Sequence, residues 1–259
     1  MRRTFEVAHL RRAVTELAHQ TKRRTAGIAG RVPPVGWIAA LCLGLGMATL
    51  VSFAQLAEDY LTKDPLVAWD ERFARWLHAV ATPAGVDAFS VITLAGGSAF
   101  LFLLTGSTAF VLARRKRLDA AYLLAAFLGA EALNLGLKLL FARERPELDS
   151  PFVNLDTYSF PSGHAIVSIA VYGAIAILIA RRTPSWWART SIVLAAAFLI
   201  ALIGFSRLYL GAHFLSDVLA GFDAGFTWLM LCTAIWVAYP ARCGLGFRES
   251  KRPDSTSTT

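Results

Sequence analysis

Residues 164–180 read HAIVSIAVYGAIAILIA, seventeen positions without a lysine, arginine, aspartate or glutamate. A helix needs roughly 17–25 such residues to cross the hydrocarbon core of a bilayer. Working outward, apolar runs of the same kind occur at 35–56, 88–113, 119–141, 190–205 and 214–239. Six runs predict an all-α integral membrane protein, a bundle of six transmembrane helices over 34–240. A basic cytoplasmic segment at 1–33 precedes it and a polar cytoplasmic tail at 241–259 follows. The fourth and fifth runs are short, so their first or last turns must carry polar residues.

Hydrophobic residues make up 56% and charged residues 17% of the 259, against roughly 45–50% and about 25% in soluble domains. That excludes an ordinary soluble fold. A chain this apolar, without a polar low-complexity tract, is not intrinsically disordered either. Six spans with short loops leave no length for a second globular domain. Cys42 and Cys232 lie inside apolar runs and Cys243 follows the last one, so the three read as packing residues and not as a disulfide framework. The first run is too long for the core of a signal peptide and reads as a retained span. No internal repeat is visible, which removes support for an inverted-repeat transporter.

In a soluble chain the net charge of +8 would raise nucleic acid as a partner. Its distribution answers otherwise. Nineteen of the 26 lysines and arginines fall in four blocks: eight before Pro33; Arg114, Arg115, Lys116 and Arg117; Arg181, Arg182 and Arg189; and Arg242, Arg248, Lys251 and Arg252. The positive-inside rule assigns these blocks and both termini to the cytoplasm, and turns the loops after spans one, three and five outward. The charge is a topology signal, with some attraction to anionic lipid headgroups, and no nucleic-acid partner is expected. Val7, Leu10, Val14 and Leu17 stand at helical spacing among arginines, the pattern of an amphipathic helix on the inner leaflet or of a frayed basic tail. Trp69, Phe73, Trp76, Leu77 and Val80 in the first outer loop predict an interfacial helix and not a ligand site.

Three outward-facing stretches hold polar residues that hydrocarbon tolerates only with a purpose. The first has Lys138, six residues, then Arg145 and Pro146; two helical turns separate the cations, so both can point to one side. Snorkelling cations before a helix-ending proline give the same pattern. The second is Pro161, Ser162, Gly163 and His164, where a serine cap and a glycine at a helix start leave unpaired N–H groups for a phosphate. A capping turn with an incidental histidine reads alike. The third has Ser206, Arg207, five residues, His213, three residues and Asp217. If helical, His213 and Asp217 share a face and the carboxylate can fix the imidazole tautomer; the arrangement makes a nucleophile for phosphorus, with Arg207 offering a planar fork of donors. A buried His–Asp pair that only ties two helices is the alternative. All three stretches fall on one membrane face as judged independently from loop charge, and this convergence favours phosphate chemistry.

The three motifs in this order resemble those of the type 2 phosphatidic acid phosphatase superfamily, with every characteristic position filled; the likeness covers roughly 88–239. The resemblance implies six transmembrane helices and metal-independent removal of phosphate from lipid phosphates or pyrophosphates, with no cofactor. By position it implies that His213 is the nucleophile, oriented by Asp217, and that His164 is the general acid. It further implies that Lys138, Arg145, Ser162, Gly163 and Arg207 bind the phosphoryl oxygens. Soluble vanadate-dependent haloperoxidases share the superfamily, but six apolar spans point to a lipid-facing phosphatase.

The expected activity is hydrolysis of an isoprenoid pyrophosphate of the undecaprenyl kind, or of another lipid phosphate, at the outer membrane face. An outward site suits a carrier lipid recycled after export. A phospholipid phosphatase acting on phosphatidylglycerol phosphate or phosphatidate is the alternative. A lipid transporter or scramblase is a rival of another class, which predicts ionisable residues spread through the membrane depth. Expected partners are the lipid substrate and membrane lipids; no protein partner is legible. Glu131 and Asp223 lie inside spans, outside the motif set, and are expected to pair structurally. Arg143 could reach the second phosphate of a diphosphate or stand as a solvated loop cation.

Overall fold

The computed structural model describes residues 35–62, 65–146 and 157–242. The basic N-terminal segment with its amphipathic stripe, and the tail with Cys243, lie outside the described residues. These residues form eight helices: α1 Val35–Thr62, α2 Pro65–Ala79, α3 Pro83–Leu94, α4 Ser98–Ala113, α5 Arg117–Phe141, α6 Gly163–Ala180, α7 Trp186–Tyr209 and α8 Leu215–Arg242. Six stretches are long and apolar enough to cross a membrane, α3 and α4 together making one, so the protein is the all-α membrane protein that the sequence predicts. The larger contact unit begins at Ala39, and the packing and the site described here belong to it.

Helices α6 and α8 form the centre: 50% and 56% of their most apolar windows are buried, against 11% for α1. Their backbones meet at Gly221 and Gly225. A Cβ at Gly221 would lie 2.7 Å from the Ser162 carbonyl oxygen, and one at Gly225 would lie 2.6 Å from that of Ile166. Between membrane helices lipid removes the hydrophobic drive, so close approach through glycines four apart supplies the attraction. Ile166, Val167, Ala170 and Val171 of α6 then pack with Leu101 of α4, Phe127 and Ala130 of α5, and Ala224 of α8. The outer faces carry exposed Leu103, Leu140 and Phe198, an apolar surface suited to lipid and not to water.

The structure departs from the sequence reading at three places that bear on the site. The second span is not one helix, because it breaks at Ala95, Gly96 and Gly97. A carbonyl freed at bilayer depth needs a donor, and Tyr172 Oη supplies one to Ala95 O at 2.8 Å. Helix α5 ends at Phe141, well before Pro146; Ala142 turns left-handed at φ 46° and its N–H closes on Lys138 O at 3.0 Å, an αL stop made without glycine. Arg145 is therefore off the helix, and helical spacing from Lys138 is not what brings the two cations together. Third, α2 forms at the tryptophan-rich stripe with Trp69 and Trp76 exposed, but its other face, Asp70, Ala74 and Leu77, is buried.

Candidate active site

Ser162 is the N-cap of α6, but its side chain caps nothing, and its Oγ is buried without a partner among the described residues. Its N–H donates to Asp217 O at 2.9 Å, which docks the start of α6 on α8. The first turn of α6 thus has unclaimed donors and a positive dipole end, a setting for an oxyanion. Gly163 stands against Asn134 of α5, and Gly96, at the break in span two, against His164: a Cβ added at each would meet those side chains at 2.8 and 3.1 Å. His164, in that first turn, lies in the electrostatic reach of Arg207, His213, Lys138 and Arg145.

His213 precedes α8 and is not on it. Phe214 is the cap position, and Asp217 reaches back to accept its N–H at 2.9 Å with Oδ2, as the third residue of a capping box does. The same oxygen stands 3.4 Å from His213 Nδ1, within ion-pair reach but off the hydrogen-bond line; such pairs tighten on substrate binding. His213 Nε2 faces the other way, 3.5 Å from Arg145 Nη1. Burial, and then Arg207, Arg145 and Lys138, hold this imidazole well below the ordinary histidine range, against a main-chain hydrogen bond with Ser159 that works the opposite way. At neutral pH it is uncharged.

The cations arrive on separate elements. Lys138, in the last turn of α5, donates to Tyr158 O. Arg145 donates to Thr157 O and Thr157 Oγ1, both at 2.9 Å, and to Ala212 O at 2.6 Å. Its guanidinium therefore ties the segment before α6 to the turn before α8. Arg207, beyond the end of the fifth apolar run, is in the last turn of α7 and buried; Nη1 donates to Thr93 Oγ1 at 2.8 Å while Nε has no partner among the described residues. Lys138, Arg145, Ser162, Gly163, His164, Arg207, His213 and Asp217 converge at one end of the bundle. A cleft of about 700 Å³ adjoins them, with Tyr60, Glu71, Arg75, Glu144, Arg145 and Phe214 among its walls.

Sequence reasoning missed four contributors. Arg143 is neither solvated nor free for a second phosphate: it is buried, donating from Nη1 to Asp217 Oδ1 and Ser216 Oγ, each at 2.7 Å, and from Nη2 to Asp70 Oδ2 at 3.0 Å. Asp70, on a helix read as no part of the site, also accepts Ser216 N–H at 3.0 Å and its hydroxyl. The available signal was an acid on the buried phase of α2, in line with Ala74 and Leu77. Thr93 and Ser216 carry no such signal. Asp223 hydrogen-bonds Ser52, whereas Glu131 Oε1 has no partner among the described residues.

Six apolar spans with a rim of cations, two histidines and a helix N-terminus at one end define a membrane-embedded phosphatase. Residues 119–240 match the family described as the PAP2 superfamily. Phosphatidylglycerophosphatase B of Bacillus subtilis (strain 168) is 34% identical over 160 residues, 60% of this chain and 77% of that protein. The lipid A 1-phosphatase of Rhizobium johnstonii (strain DSM 114642 / LMG 32736 / 3841) is 29% identical over 87% of this chain and 88% of its own. A crystal structure of a transmembrane PAP2 type phosphatidylglycerolphosphate phosphatase from Bacillus subtilis superposes with a TM-score of 0.68 at 27% identity, over 79% of this chain and 98% of that one. The chain belongs to the PAP2 superfamily of lipid phosphatases.

Proposed function

We propose that this protein hydrolyses the phosphate monoester or pyrophosphate of a membrane lipid at the outer face of the cytoplasmic membrane, through a phosphohistidine on His213 and without a metal ion. The observation that carries the reading is the setting of His213: buried and uncharged, Nδ1 towards Asp217, Nε2 towards Arg145. Nε2 attacks phosphorus, forming an N–P bond as the bond to the leaving oxygen breaks, and Asp217 stabilises the cationic ring. Lys138, Arg145, Arg207, Ser162 and the N–H of Gly163 hold the phosphoryl oxygens and neutralise their charge. His164 protonates the leaving oxygen, then takes a proton from the water that cleaves the N–P bond, releasing phosphate and restoring both histidines.

The outward orientation rests on charge. The basic residues Arg114, Arg115, Lys116, Arg181 and Arg182 sit at the ends of α4, α5 and α6 opposite the site, and Arg181 and Arg182 pair with Asp119 there. With those basic ends in the cytoplasm, the site faces the exterior, where an isoprenoid pyrophosphate is left after its cargo is exported.

A second reading, a phospholipid phosphatase acting on phosphatidylglycerol phosphate, is favoured by the 34% identity to phosphatidylglycerophosphatase B. Phosphate release from detergent micelles of undecaprenyl pyrophosphate, phosphatidylglycerol phosphate, phosphatidate and lipid A, with excess chelator, tests the proposal and ranks the substrates. Release is expected to survive chelation. Loss of all activity in chelator, restored by magnesium, overturns the mechanism.

A further inference from the structure

Between α2 and α8 lies a buried array that the hydrolysis does not itself use. Asp70, Arg143, Ser216 and Asp217 are all under a twentieth exposed. They come from three separated stretches: Asp70 from α2, Arg143 from the segment after α5, and Ser216 with Asp217 from the first turn of α8. Burying three charges is costly unless each is paired and hydrogen-bonded, and here each is. The guanidinium lies over the rings of Tyr60, at 4.9 Å, and Phe214, at 4.2 Å, so its plane cannot turn.

We propose that Arg143, anchored by Asp70, is a positioning residue for the nucleophile: it fixes the Asp217 carboxylate so that one oxygen is held and the other serves His213. The inference rests on the reading of His213 as nucleophile. Asp217 Oδ1 receives Arg143, while Oδ2 faces Phe214 N and His213 Nδ1. Without Arg143 the Oδ1 side of the carboxylate loses its anchor, and both Oδ1 and Asp70 are left buried with a lost partner. Ser216 bridges Arg143 and Asp70, accepting from the guanidinium and donating through its hydroxyl to the carboxylate.

Charge is the second half of the argument. Arg143 alone would cancel Asp217 and leave nothing to stabilise the cationic ring of a phosphohistidine. Asp70 balances the guanidinium, so the array of two acids and one base keeps one net negative charge facing His213. Both Nη atoms of Arg143 donate within the array, so its guanidinium is committed to the two acids and not to a phosphate. Its effect therefore falls on bond formation and not on substrate binding.

The test follows phosphohistidine formation in the pre-steady state, with ³²P-phosphatidate micelles in excess and an alkaline quench. The amplitude counts competent sites and the rate constant reports how well each works; inhibition by inorganic phosphate is measured alongside. Support groups of this kind are worth ~10–100-fold where they orient ligands. Arg143→Met is expected to lower the rate constant by about that factor, with the phosphate inhibition constant within about twofold of wild type. Arg143→Lys, which keeps the charge but not the fork, is expected to recover part of the rate, and Asp70→Asn to lose it with phosphate inhibition unchanged. The double variant is expected to be no slower than Arg143→Met, because Asp70 acts through Arg143. If Arg143→Met fails to fold, Arg143→Lys and Asp70→Asn carry the same comparison. Reduced amplitude at a wild-type rate constant overturns the inference in favour of a structural role, and weakened phosphate inhibition overturns it in favour of phosphate binding. Absence of phosphohistidine in the wild type itself overturns the nucleophile reading and the inference with it.

Discussion

His213 stands outside the helix that carries Asp217, yet its Nδ1 lies 3.4 Å from Asp217 Oδ2. The capping bond from Phe214 N to that same oxygen draws the residue before the helix over its first turn, and Arg145, bonded to Ala212 O, holds the turn from the other side. Nε2 is thereby left facing Arg145, and the proposed mechanism gives the two histidines different duties.

Those duties separate by leaving group. His213→Ala is expected to abolish turnover of every substrate and to leave no trappable phosphohistidine. His164→Ala, on the proposed mechanism, removes only a general acid, a contribution of typically ~10²–10⁴-fold that matters most for a basic alkoxide. In the first turnover it is expected to lose most on a lipid monophosphate, less on a lipid pyrophosphate and least on an aryl phosphate. Equal losses across the three contradict the acid role.

The acid side of the pH profile follows from the depressed basicity of His213. Its surroundings are Lys138 from α5, Arg145, His164 from α6, Arg207 from α7 and Asp217 from α8, and burial with the cations keeps the imidazole neutral. In the proposed mechanism the neutral form attacks, so kcat/KM is expected to stay level as pH falls through about 6.5, where a free histidine would protonate, and to drop only below it. Stability carries the same sign: a folded-state value below the unfolded one means that stability is present above about pH 6.5 and lost as pH falls towards the folded value. An acid limb at or above 6.5, from pH–rate profiles in detergent, is the contrary result.

Membrane orientation is testable by cysteine labelling in intact cells. A cysteine at Glu71, exposed on α2, is expected to react with an impermeant maleimide, while one at Arg115, exposed between α4 and α5, reacts only after permeabilisation. The opposite pattern places the site in the cytoplasm.

Gly221→Ala probes the crossing of α6 and α8. Its Cβ would sit 2.7 Å from Ser162 O, a backbone atom that cannot swing aside, so the start of α6 must shift. Overpacking of this kind typically costs about 1–3 kcal/mol, read as a lower detergent melting temperature, and the displaced Ser162 is expected to weaken inhibition by inorganic phosphate. Unchanged stability and unchanged phosphate affinity contradict a rigid crossing.

The sequence by itself determined that six helices cross a membrane, because apolar runs of bilayer length have no other way to satisfy their backbone. It also marked the cations, histidines and acid at the site, since ionisable residues persist beside hydrocarbon only when partnered or used. Loop charge brought the three stretches to one face without any knowledge of contacts. What the sequence left unread depends on distance in space. Arg143 looked like a loop cation because its partners, Asp70 and Asp217, lie 73 and 74 positions away on other helices. Thr93 looked like one more residue of an apolar span because nothing local shows that Arg207, 114 positions on, donates to it. The spacing of Lys138 and Arg145 suggested a shared helix face, whereas the left-handed turn at Ala142 ends the helix between them. Buried polar groups choose their partners by proximity in the folded chain, and only the tertiary structure decides that proximity.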